Sequence, residues 1–323
     1  MKIHLKPGKA VIAFVFVCIN IAFAYYLIKN IRSGQTVYML LMIAGIDLTA
    51  TAVICNAGML RNLAVVVWSE KKAILELSLN DFQSKFVGSL LGRVWAFIQP
   101  IVMMSLYWFV FQVGLKAGNV KDYPFILFLM SGLIPWFYVS EVMSSGTNVL
   151  LEYSYLVKKV LFNIEILPFI KLISSLFVHL FFICFIIVVC VLYGYYPSVY
   201  SLQLFYYLAC SCVFLCGMVF FFSACNAFFR DISQLVNILL TVGIWVTPIM
   251  WIPDETMPVF LKMLFMMNPV YYIVDGYRDS LLANRWFWQK PGWTVYFWCV
   301  SILINVLAIK MFNKLKPHFA DVV

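Results

Sequence analysis

Residues Asp81–Pro100, DFQSKFVGSLLGRVWAFIQP, carry Asp81, Lys85 and Arg93 and then run without a loop into residues suited to lipid. Upstream, from Ser69, the chain reads SEKKAILELSLNDFQSKFVGSLLGR. Leu75, Leu79, Phe82, Phe86 and Leu90 recur at spacings of four, three, four and four, which places them on one helical stripe. Lys71, Lys72, Glu76, Asp81 and Lys85 fall largely on other faces. A helix of this kind lies along a membrane surface, its stripe in the acyl boundary and its charges in water. Gly88 and Gly92 permit a bend, and Trp95 suits the headgroup level. The segment 70–93 therefore reads as an amphipathic elbow leading into a bilayer, with one face open to a partner.

The rest of the chain agrees with that reading. Of 323 residues, 64% are hydrophobic and 11% charged, against about half and about a quarter in a soluble domain. Apolar runs long enough for about 30 Å of hydrocarbon recur at 10–28, 38–60, 94–115, 123–148, 166–192, 203–228, 233–251 and 293–311. This is an all-α polytopic membrane protein: an extra N-terminal hairpin (1–69), the elbow (70–93) and a six-span core (94–323). The net charge of +9 belongs to short loops and implies no nucleic-acid partner; its bias places both termini on the cytoplasmic side. The first span also carries Ala22-Phe23-Ala24, residue types found at signal-peptidase sites; a retained anchor is the expectation. The loop 252–292 is apolar enough to dip into the membrane but is broken by Asn268-Pro269 and punctuated by Asp275, Arg278 and Asp279. It reads as a re-entrant helical pair, since non-helical backbone at membrane depth survives only where protein or a wet cavity satisfies it.

Several short motifs occur in a fixed order: the elbow residues Asp81-Phe82, Lys85-Phe86, Gly92, Trp95 and Pro100; GLIPW at Gly132–Trp136; LVKKVLFNIEILP at Leu156–Pro168; NAFFRD at Asn226–Asp231; then Thr247-Pro248, Asn268-Pro269 and Arg278. In these residues the chain resembles, over about 71–320, the transmembrane subunits of ABC exporters for cell-surface polysaccharides: O-antigen, capsule and teichoic acid permeases. It departs from them at Lys85-Phe86, where they usually have Arg-Tyr, at Phe162-Asn163, where they have Phe-Pro, and in its first two spans, which are extra.

The resemblance implies two copies of this chain, two separate ATPase subunits that hold ATP and Mg, and a lipid-linked glycan as cargo. In accord with this, the sequence contains no G-x-x-x-x-G-K-[ST] phosphate cradle, and no cofactor or metal is expected on the chain itself. The resemblance places the coupling helix in LLEYSYLVKKVLFNIE, where Glu152, Tyr153, Tyr155, Lys158 and Lys159 offer a polar surface with aromatic knobs; Asp81 and Lys85 of the elbow are the second coupling candidates. Asn226, Arg230 and Asp231 are expected at a cytoplasmic mouth, and Asn268, Pro269 and Arg278 at an outer gate.

Other residues keep two readings. Glu141, with Ser140, Ser144, Ser145 and Thr147, either lines a passage or bonds neighbouring helices. Tyr107, Trp108, Trp136 and Trp245 either belong to an interfacial aromatic belt or form flat faces along which a sugar chain slides. His179 reads as a buried, hydrogen-bonded histidine and Asp47 as a pairing residue of the hairpin. With His4, His179 and His318 as its only histidines, the chain offers no metal or hydrolase constellation, which argues against a membrane transferase. A permease for a drug or plain lipid, and a proton-coupled carrier using Asp47 and Glu141, are the remaining alternatives.

Overall fold

The computed structural model describes residues 36–323 apart from 86, 117, 121, 122, 160, 161, 254 and 255. The first expected span (10–28) and Phe86 lie outside the described residues. What is described is helical, with an isolated bridge between Val120 and Tyr123 as its extended pairing. Six of the described helical segments are long and apolar enough to cross a membrane.

Helix α1 (Thr36–Ser69) runs 34 residues, about 51 Å at 1.5 Å per residue, and so outlasts the expected span 38–60. It lies along the last long helix, where Thr49 Oγ1 is 4.0 Å from Cys299 Sγ. Helix α2 (Lys71–Ser84) follows at once. Its bend is where the glycines predict it: Gly88 and Gly92 take φ of +81° and +53°, a region that costs other residues but not glycine. The chain then enters α3 (Trp95–Trp108), which ends in a π-turn at Phe109–Gly114.

Helix α4 (Phe125–Thr147) is the central post, buried along most of its length. Short helices α5 (Val149–Glu152) and α6 (Ser154–Val157) carry the connector to α7 (Leu167–Leu192), which starts with Pro168 in its first turn, where a missing N–H is harmless. Then come α8 (Gln203–Phe228) and α9 (Asp231–Val246). The run expected to span at 233–251 is a 16-residue helix, about 24 Å long. It stops at Thr247 because Pro248 disfavours helical backbone in the residue before it.

The connector 252–292 holds α10 (Val259–Met266) and α11 (Pro269–Arg278), the latter continued by a π-turn at Asp279–Ala283. The break at Asn268-Pro269 is as read from the sequence. Asn268 caps α11 by accepting from the Val270 N–H at 3.0 Å. Helix α11 is drawn into the bundle so closely that a Cβ on Gly276 would lie 2.0 Å from the Tyr207 ring. Helix α12 (Pro291–Leu315) and the last turn α13 (Phe319–Val322) close the chain. Two apolar clusters result. The larger unites α4, α7, α8, α11 and α12; the smaller sits at the α2 end, where Val149, Leu156, Ile170, Phe220, Phe312 and Phe319 meet.

Candidate functional site

At the α2 end the amphipathic reading needs one correction. The apolar residues Leu75 and Leu79 face outward, as the stripe requires, but α2 seats on α7 through Ile74, Ser78 and Asp81. Asp81, placed in water from the sequence, is buried at 5% exposure. Its Oδ1 accepts from Lys171 Nζ at 2.6 Å and from the Tyr153 hydroxyl at 3.0 Å. Lys171, itself 3% exposed, also reaches Glu152 Oε2 at 2.5 Å. Burial alone would raise the Asp81 pKa; the charge and hydrogen bond of Lys171 outweigh it and hold the carboxyl below its ordinary value.

This knot divides the coupling candidates. Glu152, 46% exposed, and Tyr153, half-buried, reach Lys171 and Asp81 with their polar tips. Tyr155, Lys158 and Lys159 are exposed on the connector. Two further ties hold that connector: Asn163 Nδ2 donates to Glu70 Oε1 at 2.9 Å, and Lys316 Nζ to Glu165 Oε1 at 2.9 Å. Lys171 was missed by sequence reasoning, although a lysine five residues into an apolar span was itself a signal of a paired, functional or structural charge.

Asn226 is a fully buried joint. Its Nδ2 donates to Thr147 O and Asn148 Oδ1, each at 3.1 Å, and its Oδ1 accepts from Ser233 N–H at 3.1 Å, which locks α4, α8 and α9 together. Arg230 and Asp231 beside it are exposed.

At the α11 end, Arg278 explains three separate motifs at once. Its Nη1 and Nη2 donate to the carbonyls of Pro248 (2.9 Å) and Ile249 (2.5 Å), and its guanidinium lies 3.7 Å over the Phe128 ring. Asn268 Nδ2 donates to Thr247 Oγ1 at 2.8 Å. Thr247-Pro248, Asn268-Pro269 and Arg278 are thus partners in one clamp. Next to it lies a cavity of about 350 Å³ bordered by Asp275, Asp279, Arg285 and Lys290.

In that group, Lys290 Nζ meets Asp275 Oδ2 at 2.6 Å and also pairs with Asp279. Burial, then the neighbouring Asp275 charge, raise Asp279 to about 6 against the pull of Lys290 and Arg285. A raised carboxyl favours the fold in its protonated form, so its contribution is full below the unfolded value near 3.8 and is lost as pH rises through about 6. Between those limits the slope of thermal stability against pH is expected to flatten in Asp279→Asn; an unchanged slope would refute the assignment.

The passage candidates scatter. Trp136 is buried in the core at 6% exposure. Tyr107 and Trp108 pack half-buried against the core from α3, while Trp245 faces outward from α9. Glu141 does face a cavity, of about 280 Å³, but as the ion-pair partner of Lys85 at 2.6 Å. His179 is buried, its Nε2 2.8 Å from the Tyr277 hydroxyl and its ring stacked on Tyr138 at 4.6 Å.

Residues 73–282, which span α2 through the α11 clamp, match the ABC-2 type transporter family. The chain belongs to that family. Among curated proteins, this ABC-2 chain is 27% identical over 276 residues to the O-antigen export system permease protein RfbA of Klebsiella pneumoniae, covering 83% of the chain and 97% of that protein. It is 23% identical over 252 residues to RfbA of Myxococcus xanthus, covering 77% of the chain and 94% of the relative. The polysialic acid transport protein KpsM of Escherichia coli matches at 21% over 225 residues, with 67% and 83% covered. As an ABC-2 family member with six membrane-length helices among the described residues, it is a multi-pass membrane protein and a transporter's transmembrane component.

Proposed function

We propose that this chain is the membrane-spanning subunit of an ATP-driven exporter that moves a lipid-linked surface polysaccharide from the cytoplasmic to the outer side of a bacterial inner or plasma membrane. The observation that carries the reading is the near-complete coverage of an O-antigen export permease, 97% of its length, by an ABC-2 family chain. Two copies of the chain would work with two nucleotide-binding subunits that hold ATP and Mg. Both termini face the cytoplasm, which puts α2, the connector and α13 on the ATPase side. Only a difference in ATP affinity between closed and open motor states can drive the shift; closure pushes on the connector, and the core helices turn to open a path between the two copies. The proton-coupled alternative, which would use Asp47 and Glu141, finds Glu141 held by Lys85 at 2.6 Å.

Within this reading Tyr155, Lys158 and Lys159 form the surface that meets the motor. Tyr155 is 58% exposed, so Tyr155→Ala is expected to leave thermal stability unchanged while weakening the motor's binding roughly tenfold, about 1.4 kcal/mol. Copurification with the ATPase measures this, and full retention would reject the surface. The function itself is tested in sealed vesicles. Transport of a lipid-linked glycan is expected only with the ATPase partner and ATP; transport by the chain alone would overturn the proposal.

A further inference from the structure

Helix α7 links the knot at one end of the bundle to the clamp at the other. Near its start Lys171 holds Asp81 and Glu152. From position 171 to 179, about 12 Å along the axis, the chain is unbroken α-helix with neither proline nor π-turn. There His179 Nε2 lies 2.8 Å from the Tyr277 hydroxyl of α11. Among the described residues this is the one hydrogen bond between α7 and α11. Tyr277 directly precedes Arg278, whose guanidinium closes on the carbonyls of Pro248 and Ile249.

The pair fixes position more than it adds stability. His179 and Tyr277 are 3% and 0% exposed. Two apolar side chains of the same shape could stand there at almost no cost, so filling the space does not require a polar pair. What the pair adds is a directed tie between two helices, and its surroundings keep that tie in line. The imidazole stacks on Tyr138 of α4, with ring centres 4.6 Å apart and planes 19° from parallel. The Tyr138 hydroxyl donates to the Leu172 carbonyl of α7 at 3.2 Å, so the central post steadies the ring. On the far side α11 has no room to yield toward α8, because Gly276 is pressed against the Tyr207 ring. A shift of α7 therefore reaches Tyr277 and, through the next residue, Arg278.

We infer that His179 and Tyr277 form the joint through which movement of the Lys171 knot reaches the Arg278 clamp. They are positioning residues for the proposed export cycle, on which the inference rests for its purpose, and they touch no cargo. Rigid helices and hydrogen bonds carry coupling between distant sites when the elements they join have two arrangements. In this cycle the motor displaces α7 through α2 and the connector. The His179–Tyr277 bond passes that displacement to α11, which changes the clamp's hold on the backbone between α9 and α10.

The first test needs only the full-length chain in detergent. Tyr153→Phe and Tyr277→Phe each delete one hydroxyl, at the knot and at the joint, and keep the ring. Side chains so far apart with no shared partner normally give additive effects. Here each bond is worth most while the other holds, so the double variant is expected to show only about half of the summed melting shifts. That shortfall should vanish in a His179→Phe background. Additive shifts with His179 in place would overturn the inference.

The second test uses the complex with the motor. A non-hydrolysable ATP analogue is expected to change the rate of limited proteolysis between α9 and α10 about fivefold in the parent. In Tyr277→Phe and His179→Phe the analogue should change nothing, although without nucleotide all three proteins are cut at one rate. A merely structural pair would alter that resting rate. His179→Gln, which keeps a hydrogen-bonding group for Tyr277, should restore part of the response. A full response in Tyr277→Phe, or faster cutting of that variant before nucleotide is added, would overturn the joint. A parent complex that ignores nucleotide while the melting shifts stay non-additive would count against the export reading and leave the joint supported.

Discussion

Replacing Lys171 with Met is expected to destabilise the protein by about 3–5 kcal/mol, the effect of removing one partner from a buried ion pair. Lys171 and Asp81 are both almost wholly buried. Loss of the ammonium strands the buried carboxylate of Asp81. The bridge to Glu152 adds little, since that side chain is 46% exposed and its charge is screened by solvent. Thermal unfolding of the detergent-solubilised protein measures the loss. Pairing Lys171→Met with Asp81→Leu is expected to recover much of it, because two apolar side chains leave no stranded charge. A melting curve for Lys171→Met that overlays the parent would remove the knot from the account. The same pair sets an acid limit. The Asp81 pKa is depressed, so its contribution is complete above the unfolded value of 3.8 and is lost as pH falls further, through the folded one.

Arg278→Met is expected to have an effect of similar size, about 3–5 kcal/mol, by a different route. Two charge-assisted hydrogen bonds to the carbonyls of Pro248 and Ile249 go, each contributing about 1.5–3 kcal/mol. The cation over Phe128 goes with them. The carbonyls sit where α9 has ended and have no helical donor of their own. Arg278→Lys should recover only part, because an ammonium lacks the planar fork that spans two carbonyls. Thermal unfolding ranks the three proteins, and limited proteolysis between α9 and α10 should accelerate in the order parent, Lys, Met. Parent and Met variants of equal stability and equal resistance to protease would show that the clamp holds nothing.

Much of the fold was legible because lipid imposes a simple rule: a run of apolar residues of sufficient length becomes a helix. The expected runs 94–115, 123–148, 166–192 and 203–228 return as helical segments with small shifts at their ends. The bend was legible too, because Gly88 and Gly92 are local signals. The run 233–251 was overdrawn, although Pro248 stood in it as a visible stop. What sequence could not supply was pairing at a distance. Asp81 was assigned to water because it stands among lysines and a glutamate; its real partner lies 90 positions on. Thr247-Pro248, Asn268-Pro269 and Arg278 were legible as marks of a family but not as one another's neighbours. Trp136, inside GLIPW, was left between an interfacial belt and a face for sugar because its residue type suits both, whereas the packing of α4 buries it.

The knot around Lys171 also changes how many inputs this molecule has. The shoulder helix α2 and the loop from α5 to α6 are far apart in the chain and look like two tillers, each free to be pushed. Asp81, Glu152 and Tyr153 fasten both to one lysine at the root of α7. In the proposed exporter, a shove on either would turn the same crank.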